Sequence, residues 1–150
     1  MSRVVAIHVR PAPAGPTMPV DAVRVFARRG LEGDHGCLPA PSGKPRSGRD
    51  ITLIEREALE AAPREYDVAI SAAESRRNIL TEGVALNHLV GREFRIGDVR
   101  LFGVRLCEPC NHLEGLTRKG VRAALVHRGG LRADILSDGT IRTGDPIIPS

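Results

Sequence analysis

The chain has 150 residues, 41% of them hydrophobic but only 3% aromatic, with a formal net charge of +4 and a pI near 9.5. That length suits one domain over residues 1–150, and with no Trp, one Tyr and three Phe its core must be filled by Val, Ile, Leu and Ala. Few aromatic faces for base stacking, and arginines scattered rather than run together, argue against nucleic acid and leave a solvated surface as the default reading of the charge and a small anionic ligand as the sharper one. The first ten residues lack the basic start, apolar stretch and small-residue cleavage site of a secretory signal, and the longest apolar runs are only a few residues. The expectation is a cytoplasmic protein without membrane contact, whose three cysteines are free thiols or ligands rather than a disulfide framework.

Arg3 to Val9 reads as a strand, rich in β-branched residues and ended by the Pro-Ala-Gly stretch from Pro11 to Pro16. Val20 to Phe26 reads as a second strand, running into an irregular loop with glycines at 30, 33 and 36. Leu38 to Gly48, with three Pro and two Gly, reads as a long mobile surface loop of the kind that forms lids or linkers. Asp50 to Ile54 is a short strand, and Glu55 to Ala62 a helix that Pro63 should stop. Strands follow at Asn78–Thr81, Phe94–Ile96 and Val99–Leu106, the last two joined by a Gly97-Asp98 turn. Val121 to His127 has helical spacing and a Gly129-Gly130 stop. Leu131–Leu136, Thr140–Arg142 and Pro146–Ile148 complete a set of short strands separated by turn residues. Many strands and few helices imply a mainly β barrel or sandwich.

Cys107-Glu108-Pro109-Cys110 follows a predicted strand, and Asn111 with Glu114 three positions on has the spacing of a capping box. Cys110 would then lie beside a helix N-terminus, where partial positive charge favours thiolate and makes the sulfur a better nucleophile and soft-metal ligand. Two inert buried cysteines are the bland alternative. A thioredoxin-type reading lacks its βαβ context. Zinc held by Cys107, Cys110 and His112, with Cys37 or His35 as the fourth ligand, is a stronger competitor on donor chemistry.

Arg76-Arg77-Asn78 places two forked cations and an amide at the start of a strand, a group that suits phosphate; the alternative is a surface pair met by Glu74 and Glu82. Gly33-Asp34-His35-Gly36 sets an acid and an imidazole in a tight loop, where His35 could ligate or relay a proton and Asp34 could simply form the turn. His8 and His127 read as structural, and His88 has no evident partner.

Taken in order, Gly30 to His35, Arg76 to Val84, Leu89 to Asp98 and Cys107 to Cys110 resemble the MOSC family, named after the C-terminal domain of molybdenum-cofactor sulfurases and also found alone in small bacterial proteins. The likeness runs from about Arg29 to the Gly144-Asp145 turn. It implies a MOSC-type β-barrel whose cysteine, Cys110 here, is a thiolate ligand of the metal in members that bind molybdenum cofactor (molybdopterin), with Arg76-Arg77-Asn78 holding the pterin phosphate. In sulfurases the domain receives or presents sulfur, so the resemblance equally implies a persulfide on Cys110, and a second thiol, Cys107, that could resolve it as a disulfide. Set against the larger members, the protein is expected to lack their pyridoxal-phosphate-dependent desulfurase domain and N-terminal barrel, which implies either a sulfur-donor protein such as a cysteine desulfurase, or a redox partner, or the binding of finished cofactor. Asp34, His35 and His112 are the further residues expected to line the pocket, and a non-catalytic sulfur- or small-molecule-binding module is the alternative.

Overall fold

The computed structural model describes residues 1–150. Eleven strands form two sheets: β1 (Arg3–Val9), β2 (Met18–Val20), β5 (Ile51–Glu55), β6 (Ile79–Glu82), β7 (Glu93–Ile96), β8 (Val99–Leu106), β9 (Leu131–Ile135) and β11 (Ile147–Pro149) in one, and β3 (Ala22–Phe26), β4 (Gly30–Leu31) and β10 (Gly139–Arg142) in the other. The large sheet runs β11-β7-β8-β9-β5-β6-β1-β2 and the small one β10-β3-β4. All pairings are antiparallel except β5 with β6, and it is across that parallel pair that the first helix crosses over. The large sheet curls as a half-barrel, so the mainly β expectation holds.

Period-two alternation builds the core. Ile7 and Val9 of β1, Ile51 and Leu53 of β5, and Leu131, Ala133 and Ile135 of β9 point inward, and Val23, Val25 and Ile141 of the small sheet close over them in a cluster of 20 buried residues. The outer face is partly covered by α1 (Arg56–Tyr66), α3 (Asn111–Leu116) and α4 (Val121–Ala124), whose Ala62, Leu113, Val121 and Ala124 form a second cluster with Ile70 and Leu125. α2 (Ala72–Ser75) is a single turn with a true capping box, Ser71 accepting from the Glu74 N–H at 3.1 Å and Glu74 accepting from the Ser71 N–H at 3.0 Å. No helix is long and apolar enough to cross a membrane.

Several local expectations change. Pro63 does not stop α1, which continues to Tyr66 and closes at a left-handed Asp67. Proline removes one ladder bond near the end of this helix, and the buried Ala58, Ala61 and Ala62 already fix its position. The strand expected over Val20–Phe26 breaks at Asp21, because its first part pairs with β1 and its second with β10 in the other sheet. The helix expected to reach His127 ends at Ala124, since the Glu108 carboxylate takes the His127 N–H at 2.8 Å and meets its ring Nδ1 at 2.7 Å, holding that residue left-handed.

The 38–48 loop is pinned rather than loose. Arg46, 13% exposed in its side chain, donates to the Arg29 carbonyl at 2.6 Å, the Gly36 carbonyl at 3.2 Å and Asp50 Oδ1 at 3.0 Å. Gly48 N–H donates to Asp134 at 2.8 Å, and the Asp50 carboxylate also receives the Ile135 N–H at 2.9 Å.

Candidate functional site

Strand register creates a polar row on the outer face of the sheet. Ile7, Ile79, Leu53 and Leu131 lie abreast across β1, β6, β5 and β9 and face the core. The neighbouring row, His8, Asn78, Thr52 and Arg132, therefore faces outward. Asn78, just before β6, is wholly buried at its centre. Its Oδ1 accepts from the Thr52 N–H and hydroxyl, both at 3.1 Å, and its Nδ2 donates to the His8 carbonyl at 3.1 Å and to Asp34 Oδ1 at 3.3 Å.

Asp34 continues this network. It is 7% exposed, and its carboxylate receives the Arg10 N–H at 2.8 Å, Arg10 Nε at 3.1 Å, Arg10 Nη2 at 3.0 Å and the Gly36 N–H at 3.0 Å. Burial by itself would raise the Asp34 carboxyl, but the Arg10 guanidinium and these N–H donors outweigh it and hold the group below the usual carboxylate value. At the end of the row His8 is buried, and its Nδ1 has no hydrogen-bond partner. Burial lowers its imidazole below the usual histidine value, which keeps the ring neutral at pH 7.

The two arginines of the Arg76-Arg77-Asn78 element point apart. Arg76, left-handed at the end of α2, donates to the Gly15, Ala12 and Pro13 carbonyls and so ties down the 11–16 loop. It stands in the wall of a cavity of about 300 Å³ that opens between that loop, α2 and the end of α3, with Thr17, Ala73 and Leu116 as other walls. Arg77 reaches across the outer face instead, with Nε on the Gly129 carbonyl at 2.8 Å, Nη2 on the Cys107 carbonyl at 2.9 Å and Nη1 on the Ser75 carbonyl at 3.1 Å. Burial is the main reason its guanidinium lies below the usual arginine value; the Arg132 and Arg10 cations act the same way, and the nearby sulfur atoms of Cys107 and Cys110 act against them.

Cys107 directly follows β8, is 1% exposed, and its N–H donates to the Gly130 carbonyl at 2.7 Å. Gly129 and Gly130 let the 128–130 segment press against this loop: a Cβ on Gly129 would strike the Cys107 carbonyl and Pro109. Cys110 is exposed and is itself the N-cap of α3 in an extended conformation. The expected capping box at Asn111 does not form. Asn111 is already helical with its Oδ1 taking Arg122 Nη1 at 2.9 Å, while the Glu114 carboxylate receives the Gly120 and Arg122 N–H groups at 3.1 and 3.0 Å, so the start of α4 competes for both.

Of the residues expected at the site, Asp34 and Asn78 are in direct contact, and Arg77 grips the loop that carries Cys107 and Cys110. His35 is exposed, with its N–H on the Arg10 carbonyl at 2.7 Å, and His112 is exposed on the first turn of α3. Asn78, expected to meet a phosphate, has every polar group committed inside the fold, and Arg76 is occupied by loop carbonyls. The zinc arrangement is not assembled: no three His, Cys, Asp or Glu side chains gather as a metal-ligating group. Cys37 lies among Arg29, Arg46 and Asp34, where burial pushes its thiol up. Sequence reading missed Arg10, Thr52 and Arg132. Their signal is alternation, because each is the polar residue next to core positions, as in Leu131-Arg132-Ala133.

Residues 35–148 match the family model described as the MOSC domain. No curated protein matches the sequence. Among solved structures, the YuaD protein from Bacillus subtilis superimposes with a TM-score of 0.78 at 16% identity, over 98% of this chain and 94% of that one. YiiM from Geobacillus stearothermophilus does so with 0.74 at 17% identity (100% and 75% covered), and YiiM from Escherichia coli with 0.70 at 18% (99% and 69% covered). Identities this low establish a shared fold and nothing finer.

Proposed function

The chain belongs to the MOSC domain family, and from that premise we propose that Cys110 is the reacting group of a site for an anionic ligand of the molybdenum-cofactor type, as metal ligand or as persulfide carrier. The observation that carries this reading is the setting of the thiol: exposed, at the end of a loop gripped by Arg77, over a face whose cations outnumber its acids. Arg10 is matched by Asp34, whereas Arg77 bonds only to carbonyls and Arg132 to nothing.

The donor set fits such a cofactor. One soft thiolate, without the second and third protein ligands a structural metal needs, suits a metal whose other ligands come with the cofactor, and unbalanced guanidinium charge suits its anionic groups. When bound, the cofactor would supply redox and oxo-transfer chemistry that no side chain here can provide. The chain's own part is then specific. Cys110 offers sulfur, Arg77 fixes the loop and presents positive charge, and Arg76 holds the 11–16 loop at the cavity beside α2. Asp34, Asn78 and Arg10 act from beneath by holding β1, β5, β6 and the 33–36 loop in one rigid floor, so their role is positioning. His35 and His112, both exposed, are the further side chains this reading would have meet a large ligand. As a sulfur carrier the protein needs a donor, such as a cysteine desulfurase.

The test compares wild type with Cys110→Ser, purified from a host that makes molybdenum cofactor, for molybdenum, pterin and persulfide content. Molybdenum with pterin, or a persulfide, in wild type and its loss from a folded Cys110→Ser supports the reading. Equal contents in the two proteins would overturn it.

A further inference from the structure

Arg77 and Arg132 stand out on the outer face because their charge is not met by any carboxylate. Three of Arg77's five N–H donors are used on carbonyls, which leaves two. Arg132 is half-buried, and its guanidinium makes neither a hydrogen bond nor an ion pair, unlike Arg10, Arg46, Arg118 and Arg128, each of which has its acid.

The register explains why they meet. Arg132 is abreast of Thr52, Thr52 is bonded to Asn78, and Arg77 precedes Asn78 and stretches over this row to the Cys107 and Gly129 carbonyls. Arg132 lies near enough to help lower the Arg77 guanidinium, and both thiols of the Cys107–Cys110 loop lie within electrostatic reach of Arg77. Two like charges brought together in a half-buried place cost stability unless an anion joins them. Forked guanidiniums match the oxygens of a tetrahedral oxyanion, and Arg77 holds the Cys107 carbonyl of the loop that carries the Cys110 sulfur.

We propose that Arg77 and Arg132 form an oxyanion subsite beside Cys110 for a sulfane donor of the thiosulfate class, from which Cys110 takes sulfur directly. This rests on the sulfur-carrier reading of Cys110 and supplies its substrate. The Cys110 thiolate attacks the outer sulfur of thiosulfate; a bond forms between Sγ and that sulfur, the S–S bond of thiosulfate breaks, and sulfite leaves with the electron pair. One thiolate and one dianion become one persulfide anion and one dianion, so no outside oxidant or reductant enters. The arginines neutralise the donor on arrival and stabilise the charge that gathers on the departing sulfite.

The experiment incubates reduced protein with thiosulfate and follows sulfite release together with gain of one sulfur atom on Cys110 by mass spectrometry. Arg132→Gln is expected to raise the half-saturating thiosulfate concentration by about tenfold or more, as loss of a charge-assisted contact implies. Arg95→Gln, an exposed arginine on β7 with no partner, controls for net charge and should leave it unchanged. Circular-dichroism spectra should be the same in all three proteins, which separates anion binding from a disturbed fold. Sulfur uptake by Arg132→Gln at wild-type concentrations would overturn the subsite while leaving Cys110 a carrier. Wild type that ignores thiosulfate yet carries a persulfide when isolated from cells would overturn this inference alone; no persulfide from either source would end the carrier reading with it.

Discussion

Replacing Asn78 by alanine tests whether the central polar residue of the row holds the fold or a ligand. The substitution deletes four side-chain contacts, those with the Thr52 N–H, the Thr52 hydroxyl, the His8 carbonyl and Asp34. Asp34 keeps Arg10 and the Gly36 N–H, and the Thr52 hydroxyl keeps the Asn78 N–H. The Thr52 N–H and the His8 carbonyl lose their amide partner in a buried setting, at about 1–3 kcal/mol each, and the space left by the amide adds to this. The expected loss is about 3–5 kcal/mol, a large share of the roughly 5–15 kcal/mol of a typical domain. Urea unfolding followed by circular dichroism, extrapolated linearly to water, measures it. Asn78→Asp should lose at least as much, since it retains an acceptor for Thr52 but sets a second carboxylate against Asp34. A loss below about 1 kcal/mol for the alanine variant would refute the positioning role and return Asn78 to ligand binding.

Other consequences can be measured on the same protein. Asp34 has a lower carboxyl value folded than unfolded, so its stabilisation is present at neutral pH and is lost as pH falls below about 4 and through the folded value. Asp34→Asn should therefore flatten the acid limb of the stability–pH curve relative to wild type; Asp50 and Glu55, which burial shifts upward, act oppositely and are common to both proteins. An unchanged acid limb would count against the Arg10–Asp34 pairing. Arg46→Ala strands the Asp50 carboxylate, 1% exposed, at a cost of about 3–5 kcal/mol, and limited trypsin digestion should then cut at Arg49 far faster than in wild type. Gly130 is held at φ 109° with the Leu53 carbonyl where a Cβ would stand, so Gly130→Ala should lower the melting temperature sharply and release the Cys107 loop, whose N–H bonds to the Gly130 carbonyl.

What could be read in the sequence was local. The β-branched runs at Arg3–Val9 and Val99–Leu106 became strands within a residue of their expected ends, and the Cys107–Cys110 loop follows β8 as the pattern required. Several of the misreadings share a cause, which is a side-chain partner outside the segment being read. Asn111 has the spacing of a cap but is engaged by Arg122, and the 38–48 loop has the composition of a lid but is stitched by Arg46 to Arg29 and Asp50. Asn78 looked like a phosphate ligand because it sits beside two arginines; only the register of β1, β5 and β6 shows that its amide is enclosed. The same register is what places Arg132 across from Thr52, a proximity that no sequence spacing encodes.

Thiol labelling tests the central claim most directly. Native protein treated briefly with a substoichiometric alkylating reagent, then digested and mapped by mass spectrometry, reports which cysteine is the accessible nucleophile. Cys110 is exposed, Cys37 is partly covered with its thiol pushed up by burial, and Cys107 is enclosed. The order predicted is Cys110 first, Cys37 later, and Cys107 only on unfolding, and bound molybdenum cofactor or a preformed persulfide should alter the label at Cys110 alone. First reaction at Cys37 or Cys107, or a Cys110 label indifferent to either ligand, would contradict a site centred on Cys110.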